Sequence, residues 1–275
     1  MSKRFSFEFF PAKTDAGKEK LKLVRAELNQ LNPEFFSVTY GAGGSTRDNT
    51  KDIVLEMIGE GIDTAPHLSF GSDSKEEMLE LITSYKDAGV KRMVALRGDM
   101  PSGLGAQRLV YASELVAFIR EHTGDHFNIE VGCYPEIHPD ADGYAQDIQF
   151  LKEKLDAGAN SAITQYFFNV DAYFHFLEKC DKIGIDKPIY PGIMPIINHH
   201  NLMRFSKTCG AEIPRWLGYK LESLENDPEG LKAFTTDFIS SLCERLLAGG
   251  APGLHFYTMN LVEPNKTIWQ NLKLS

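Results

Sequence analysis

The chain concentrates its chemically capable side chains at the ends of short apolar runs, beginning with Glu8 in Phe5-Ser6-Phe7-Glu8-Phe9-Phe10. Period-two alternation sets Phe5, Phe7 and Phe9 on one face of a strand and Ser6, Glu8 and Phe10 on the other. A carboxyl among aromatic rings loses hydration, which penalises its charged form and raises its pKa, the condition for a general acid near neutrality. The other reading of Glu8 is a carboxylate paired with a basic neighbour. Further along, Val94-Ala95-Leu96 runs into Arg97-Gly98-Asp99 and brings a cation, a permissive backbone and an anion to one point. Arg97 can face a phosphate, Gly98 lets a flat ligand approach, and Asp99 can hold a donor edge or a developing positive charge. A simple Arg-Asp surface pair is the alternative.

Tyr134-Pro135-Glu136-Ile137-His138-Pro139 and Ile163-Thr164-Gln165-Tyr166-Phe167-Phe168 add two aromatic run ends with polar groups between them, which suits a large planar ligand. The Gln165 amide both donates and accepts, as recognition of a heterocycle edge requires. Each of these also reads as a packed aromatic or a satisfied core amide. After Ser37-Val38-Thr39-Tyr40 comes Gly41-Ala42-Gly43-Gly44-Ser45-Thr46, which can bind an anion through backbone N–H groups or simply form a tight turn.

These groups need elements to hold them. Strands are expected at Phe5–Phe9, Phe35–Tyr40, Thr64–Ser69, Arg92–Leu96, Asn128–Tyr134, Ser161–Phe167, Ile189–Ile193 and Leu254–Thr258, alternating with helical patterns. Ser74-Lys75-Glu76-Glu77 reads as a capping box followed by the stripe Met78, Leu81, Ile82 and Tyr85, with Gly89 as the stop. Tyr144, Ile148, Leu151 and Leu155 form a second stripe. The segment after the seventh strand is long enough for extra helices. The fold class predicted is α/β, a (β/α)8 TIM barrel with extra helices between strands 7 and 8, in one domain over residues 1–275. A doubly wound sheet is the alternative, but its dinucleotide-binding form carries a Gly-rich turn after the first strand, where this chain has Phe9-Phe10-Pro11.

A formal charge of -9, with no Lys/Arg cluster, argues against nucleic acid or an anionic membrane as partner. No apolar run approaches a membrane helix and no signal peptide is read, so a cytoplasmic protein is expected. Cys133, Cys180, Cys209 and Cys243 are isolated and are assigned to the core. His122 and His126 lack a third ligand, His199 and His200 diverge on a helix, and no catalytic metal is predicted. There is no GxSxG elbow and no strand-end Lys for Schiff-base chemistry.

The ordered set Phe5-Ser6-Phe7-Glu8-Phe9-Phe10-Pro11, Ser37 to Asp48, Ala65-Pro66-His67-Leu68, Ala95-Leu96-Arg97-Gly98-Asp99, Tyr134 to Pro139, Asp156-Ala157-Gly158-Ala159, Ile163-Thr164-Gln165 and His255 to Asn260 resembles the methylenetetrahydrofolate reductase family over nearly the whole chain. The resemblance implies a flavoprotein barrel. NADH or NADPH, with NADH favoured, reduces bound FAD and leaves; 5,10-methylenetetrahydrofolate then binds the same flavin face and becomes 5-methyltetrahydrofolate, in ping-pong order. It places the enzyme in one-carbon metabolism and methionine supply, as a homo-oligomer. Glu8 becomes the general acid that opens the folate ring, and Asp99 tunes the flavin and favours positive charge. Tyr40, Ala42, His67, Arg97, Gly98, Asp99, Tyr134, His138, Ala141, Asp147 and Lys154 become FAD contacts, with Arg97 and Lys154 offsetting the diphosphate. Thr39, Gln165, Asn201 and Phe205 become substrate contacts.

The chain departs from the family pattern at Asn201, where a longer amide is common, at Leu261, where Arg is frequent, and at Phe150 and Glu153, which replace polar or basic residues. The length leaves no room for the regulatory domain of longer eukaryotic relatives, so S-adenosylmethionine inhibition is not expected. Two other readings stand beside this one: a flavin-independent folate reductase with direct hydride transfer, and a non-catalytic folate- or flavin-binding barrel.

Overall fold

The structure is a computed structural model in which residues 3–40, 47–70, 73–97 and 111–274 are described. Ala42, Gly98 and Asp99 lie outside the described residues. The strands are β1 (Arg4–Phe9), β2 (Phe35–Val38), β3 (Thr64–Leu68), β4 (Arg92–Ala95), β5 (Asn128–Cys133), β6 (Ser161–Thr164), β7 (Ile189–Tyr190), β8 (Gly192–Ile193) and β9 (Gly253–Tyr257). Between them run α1 (Asp15–Asn29), α2 (Arg47–Gly59), α3 (Lys75–Asp87), α4 (Ala112–Thr123), α5 (Tyr144–Asp156) and α6 (Val170–Lys182). Three helices, α7 (His199–Cys209), α8 (Arg215–Ser223) and α9 (Pro228–Ala248), fill the long segment before β9, and α10 (Asn265–Asn271) follows it.

Among the described residues all strand pairings are parallel, in the order β7-β6-β5-β4-β3-β2-β1-β9-β8. Since β7 and β8 are consecutive pieces of one segment, the two edges meet and the sheet is a (β/α)8 barrel. The single strand expected over Ile189–Ile193 is corrected to two short ones. Pro191 stands between them and has no N–H for the ladder, although its carbonyl still accepts from His255 N–H at 3.0 Å. Helix starts follow their sequence signals: Ser74 Oγ accepts from Glu77 N–H at 3.1 Å while the Glu77 carboxylate accepts from Ser74 N–H at 2.8 Å.

Alternation along β1 divides the barrel into two environments. Phe7 and Phe9 point outwards and are fully buried under the helices; the Phe7 ring lies 5.9 Å from Phe36, 5.5 Å from Phe256 and 5.2 Å from Trp269. Arg4, Ser6 and Glu8 point into the barrel. At its N-terminal end Arg4 donates from both Nη atoms to Glu130, at 2.8 and 3.0 Å, and its guanidinium lies 3.4 Å from the centre of the Tyr190 ring. Arg92 Nη1 lies 3.6 Å from the same carboxylate, and Ser161 Oγ donates to it. Glu130 is wholly buried, so this layer offsets its charge from β1 and β4 and adds a hydrogen bond from β6.

Next to the break at Pro191, Tyr257 crosses the interior and donates its hydroxyl to Thr164 O at 2.7 Å. A Cβ on Gly192 would stand 2.2 Å from that carbonyl oxygen and 2.5 Å from the Tyr257 ring, so only glycine fits. Gly192→Ala is expected to cost on the order of 2 kcal/mol through overpacking against backbone. Gly59→Ala, where nothing lies within 4 Å, is expected to cost nothing; chemical denaturation of both variants compares them.

Candidate functional site

Glu8 projects from β1 into a cluster assembled by three strands. Its Oε2 lies 3.2 Å from His67 Nε2 of β3, an ion-pair distance without hydrogen-bond alignment, and 3.2 Å from His255 Nε2 of β9. Ser37 Oγ of β2 donates to the same oxygen at 3.4 Å. Behind His255, its Nδ1 is 2.7 Å from Ser6 Oγ. Parallel register makes this convergence, setting Glu8 opposite Ser37 on one side and Tyr257 on the other.

The expectation that Glu8 has a raised pKa is corrected. Burial alone pushes the carboxyl up, but the charge of His67, the hydrogen bond from His255 and the remaining pull of both rings outweigh it and hold the group at about 2. The neighbouring phenylalanines that suggested a rise face the helices instead.

A cavity of about 440 Å³ opens beside this cluster at the C-terminal ends of β2 to β5. Its walls include Tyr40 after β2, Arg97 after β4, Tyr134, His138 and Ala141 after β5, and Asp147 and Lys154 from α5. Seven positions apart on one helix, Asp147 and Lys154 share the face turned to the cavity. His67 belongs to the Glu8 cluster, and its chain neighbour Leu68 lines the cavity.

Charge in this cavity is tightly partnered. Arg97 pairs with Asp140 at the rim. Lys154 Nζ donates to Gly132 O at 2.6 Å, and burial pulls its pKa down. Asp147 Oδ2 accepts from His138 N–H at 2.9 Å while burial pushes its carboxyl up. His138 Nδ1 accepts from Asp140 N–H at 3.0 Å, which places the neutral ring's proton on Nε2; burial and then Arg97 lower its pKa. Tyr111 and Phe150 stack with centroids 6.3 Å apart on the cavity wall, near the exposed Glu153.

The proposed substrate contacts fare differently. Thr39 is anchored by its backbone, donating to Phe9 O at 2.9 Å and accepting from Thr50 Oγ1 at 2.8 Å. Gln165 follows β6, and its Oε1 accepts from Tyr166 N–H at 3.0 Å; it lines a second, much smaller cavity that shares Tyr134 with the large one. Asn201, exposed in the first turn of α7, donates its N–H to the Asn198 side chain at 3.0 Å. Phe205 lies half-buried with the Arg204 guanidinium 5.1 Å from its ring. Neither Asn201 nor Phe205 lines either cavity. Sequence reasoning missed His255, Ser6 and Asp140 as site residues. Alternation applied to the last strand would have found His255, since it shares the inward face with Tyr257.

A family model described as methylenetetrahydrofolate reductase matches residues 1–273. The chain is 40% identical to the 5,10-methylenetetrahydrofolate reductase of Pectobacterium carotovorum over 268 residues, covering 97% of this chain and 89% of the relative. The Escherichia coli enzyme of the same name is 37% identical, with 97% and 90% covered. Among solved structures, a protein from Clostridium thermocellum described as binding two copies of 5-methyl-5,6,7,8-tetrahydrofolic acid superposes with a TM-score of 0.64 at 19% identity, covering 99% of this chain and 93% of that one. At that identity the likeness speaks for the fold.

The lowered pKa of Glu8 has a signed consequence for stability. Its ionised form stabilises the fold above about pH 4.5, and that contribution fades as the pH falls towards 2. Over that interval the stability of the wild type relative to Glu8→Gln is expected to fall by up to about 3 kcal/mol, read by denaturant titration of both proteins at acid pH.

Proposed function

This chain belongs to the methylenetetrahydrofolate reductase family, and on that premise we propose that it reduces 5,10-methylenetetrahydrofolate to 5-methyltetrahydrofolate with electrons from NADH carried through FAD. The observation that carries the reading is the buried carboxylate-imidazole cluster of Glu8, His67 and His255 set beside a cavity with cationic and aromatic walls. A barrel that only bound its ligand would not need a buried carboxylate set between two imidazoles at that point.

The lining of the cavity supports a flavin dinucleotide in this reading. Its volume is in the range of ligand sites, and Lys154 commits a hydrogen bond to Gly132 O while an ammonium has three donors. In this reading Arg97 and Lys154 would hold the diphosphate and Tyr40, His67, Tyr134, His138, Ala141 and Asp147 the remainder, while Ala42, Gly98 and Asp99, outside the described residues, are added by the family resemblance. The chemistry a flavin bound there would supply is hydride transfer in two halves, from nucleotide and then to folate. Thr39 and Gln165 contact the nucleotide and the pterin in turn, consistent with ping-pong order.

Reduction requires the five-membered ring of the folate to open, and the departing nitrogen must take a proton. Held at about 2, Glu8 carries no proton of its own near neutrality. The cluster supplies one: His255, aligned on the carboxylate with Ser6 at its other nitrogen, protonates Glu8 as the pterin covers it and removes water. Glu8 then passes the proton to the substrate nitrogen, and Asp99 favours the positive charge left on the carbon that accepts hydride. A cytoplasmic homo-oligomer is part of the same proposal.

The absorption spectrum of the purified protein is expected to show flavin bands that bleach when NADH is added without oxygen. Bands that are absent, with activity unaffected by added FAD, would indicate direct hydride transfer. Glu8→Gln is expected to keep flavin reduction by NADH and to slow folate reduction on the order of 10²-fold or more. Stopped-flow rates that fall equally in the two half-reactions would refute the acid role.

A further inference from the structure

The seam between the end of β5 and the C-terminal end of α7 is built around one carboxyl. Glu136 Oε2 accepts from Glu212 N–H at 2.8 Å, while Oε1 is buried with no hydrogen-bond partner among the described residues. The backbone on both sides is shaped to close this contact. Ile137, a β-branched residue, takes a φ of 84°, and Gly210 takes a φ of 76° where an added Cβ would stand 3.0 Å from Pro139 Cγ. A second tie joins the helix to the end of β6, with the Tyr166 hydroxyl 3.0 Å from Ser206 Oγ. Between the two ties lies a cavity of about 10 Å³, room for about one water, with Gln165 and Tyr134 on its wall.

We propose that Glu136 is a positioning residue for the folate half-reaction: it clasps α7 against the β5 side of the site and so fixes the wall that carries Gln165. The proposal rests on the folate-reducing reading above. Strained backbone at Ile137, a left-handed glycine in tight contact with Pro139 and a buried oxygen without a partner among the described residues all converge on one contact. That contact fastens a helix outside the barrel to the loop that also supplies Tyr134 and His138 to the large cavity.

The clasp responds to pH. Burial pushes the Glu136 carboxyl up to about 7, against the pull of the Glu212 N–H, and the Glu212 carboxylate adds to the rise. The titratable groups facing it are Tyr134 on its own loop, Tyr166 after β6, Cys209 on α7 and Glu212 beyond it; none is a cation. Ionisation therefore leaves a charged oxygen without a partner, and undocking into water relieves it. The docked carboxyl has the higher pKa, so the docked state is favoured most below about pH 4.5 and loses ground until the pH passes about 7.

Hydrogen exchange of the segment 206–213, in the ligand-free protein at about pH 5.5 and about pH 8 and corrected for intrinsic rates, tests the clasp. Wild-type protection is expected to fall at least about tenfold between the two, while Glu136→Gln, which keeps the acceptor without the charge, stays protected at both. Glu136→Ala is expected to be unprotected at both. In turnover, KM for the folate is expected to rise over the same interval in the wild type and to stay level in Glu136→Gln. An identical pH response in wild type and Glu136→Gln overturns the clasp, and altered exchange with parallel KM profiles overturns its link to folate. A wild type that reduces no folate refutes the proposed function, and the exchange experiment still decides the clasp.

Discussion

A charge placed inside a closed barrel has to find its partner across the barrel, because no water is there to solvate it. Arg4 and Glu130 meet this demand from strands whose residues lie far apart in the chain, and Arg92, Ser161 and the Tyr190 ring complete the arrangement. Taking away one member of such a group costs about 3–5 kcal/mol, although an apolar replacement of the whole group is often no less stable. Its value in this fold is register. A slip of one residue in β1 turns Arg4, Ser6 and Glu8 out of the barrel and drives Phe5, Phe7 and Phe9 in. The ionic layer at the base therefore fixes which side chains arrive at the top.

The two ends of the barrel solve the same electrostatic problem with different chemistry. At the base, carboxylate meets guanidinium, a partner that keeps its proton at any relevant pH, and the charge is permanent. At the top, carboxylate meets imidazole, with Glu8 Oε2 lying 3.2 Å from both His67 Nε2 and His255 Nε2. The neighbouring cavity inherits its shape from the same strands, since Tyr40, Arg97 and Tyr134 each follow within two residues of a strand end.

Much of this can be read in the chain because local patterns decide it. The capping box at Ser74, the stripe through Ile148, Leu151 and Leu155 and the alternation in β1 depend on residues within a few positions of each other, and the structure keeps all three. Pro191 splits the seventh strand for a local reason that was also visible, a missing N–H, but the length of the apolar run masked it. The pKa of Glu8 was not readable in this way. The rings adjacent in sequence lie on the opposite face, and the groups that govern it, His67 and His255, are brought in by parallel pairing across the barrel. Asp140 escaped notice because its partnership with Arg97 exists only once the loops after β4 and β5 are side by side. Asn201 and Phe205, named from resemblance alone, sit on a helix outside the barrel where no local pattern specifies orientation.

The pairing of β1 with β9 joins the first strand to one whose residues come roughly two hundred and fifty positions later. For the ribosome this is a timing problem. Strands β3 to β6 can assemble side by side as they emerge, but β1 lacks one edge until almost the whole chain has been made, and Glu8 waits equally long for His255. The nascent chain must therefore carry an aromatic strand with unmet charges through most of its synthesis, exposed to neighbours and to chaperones. The Glu8 cluster and barrel closure are completed together, so a chain that stalls before its last strand has neither.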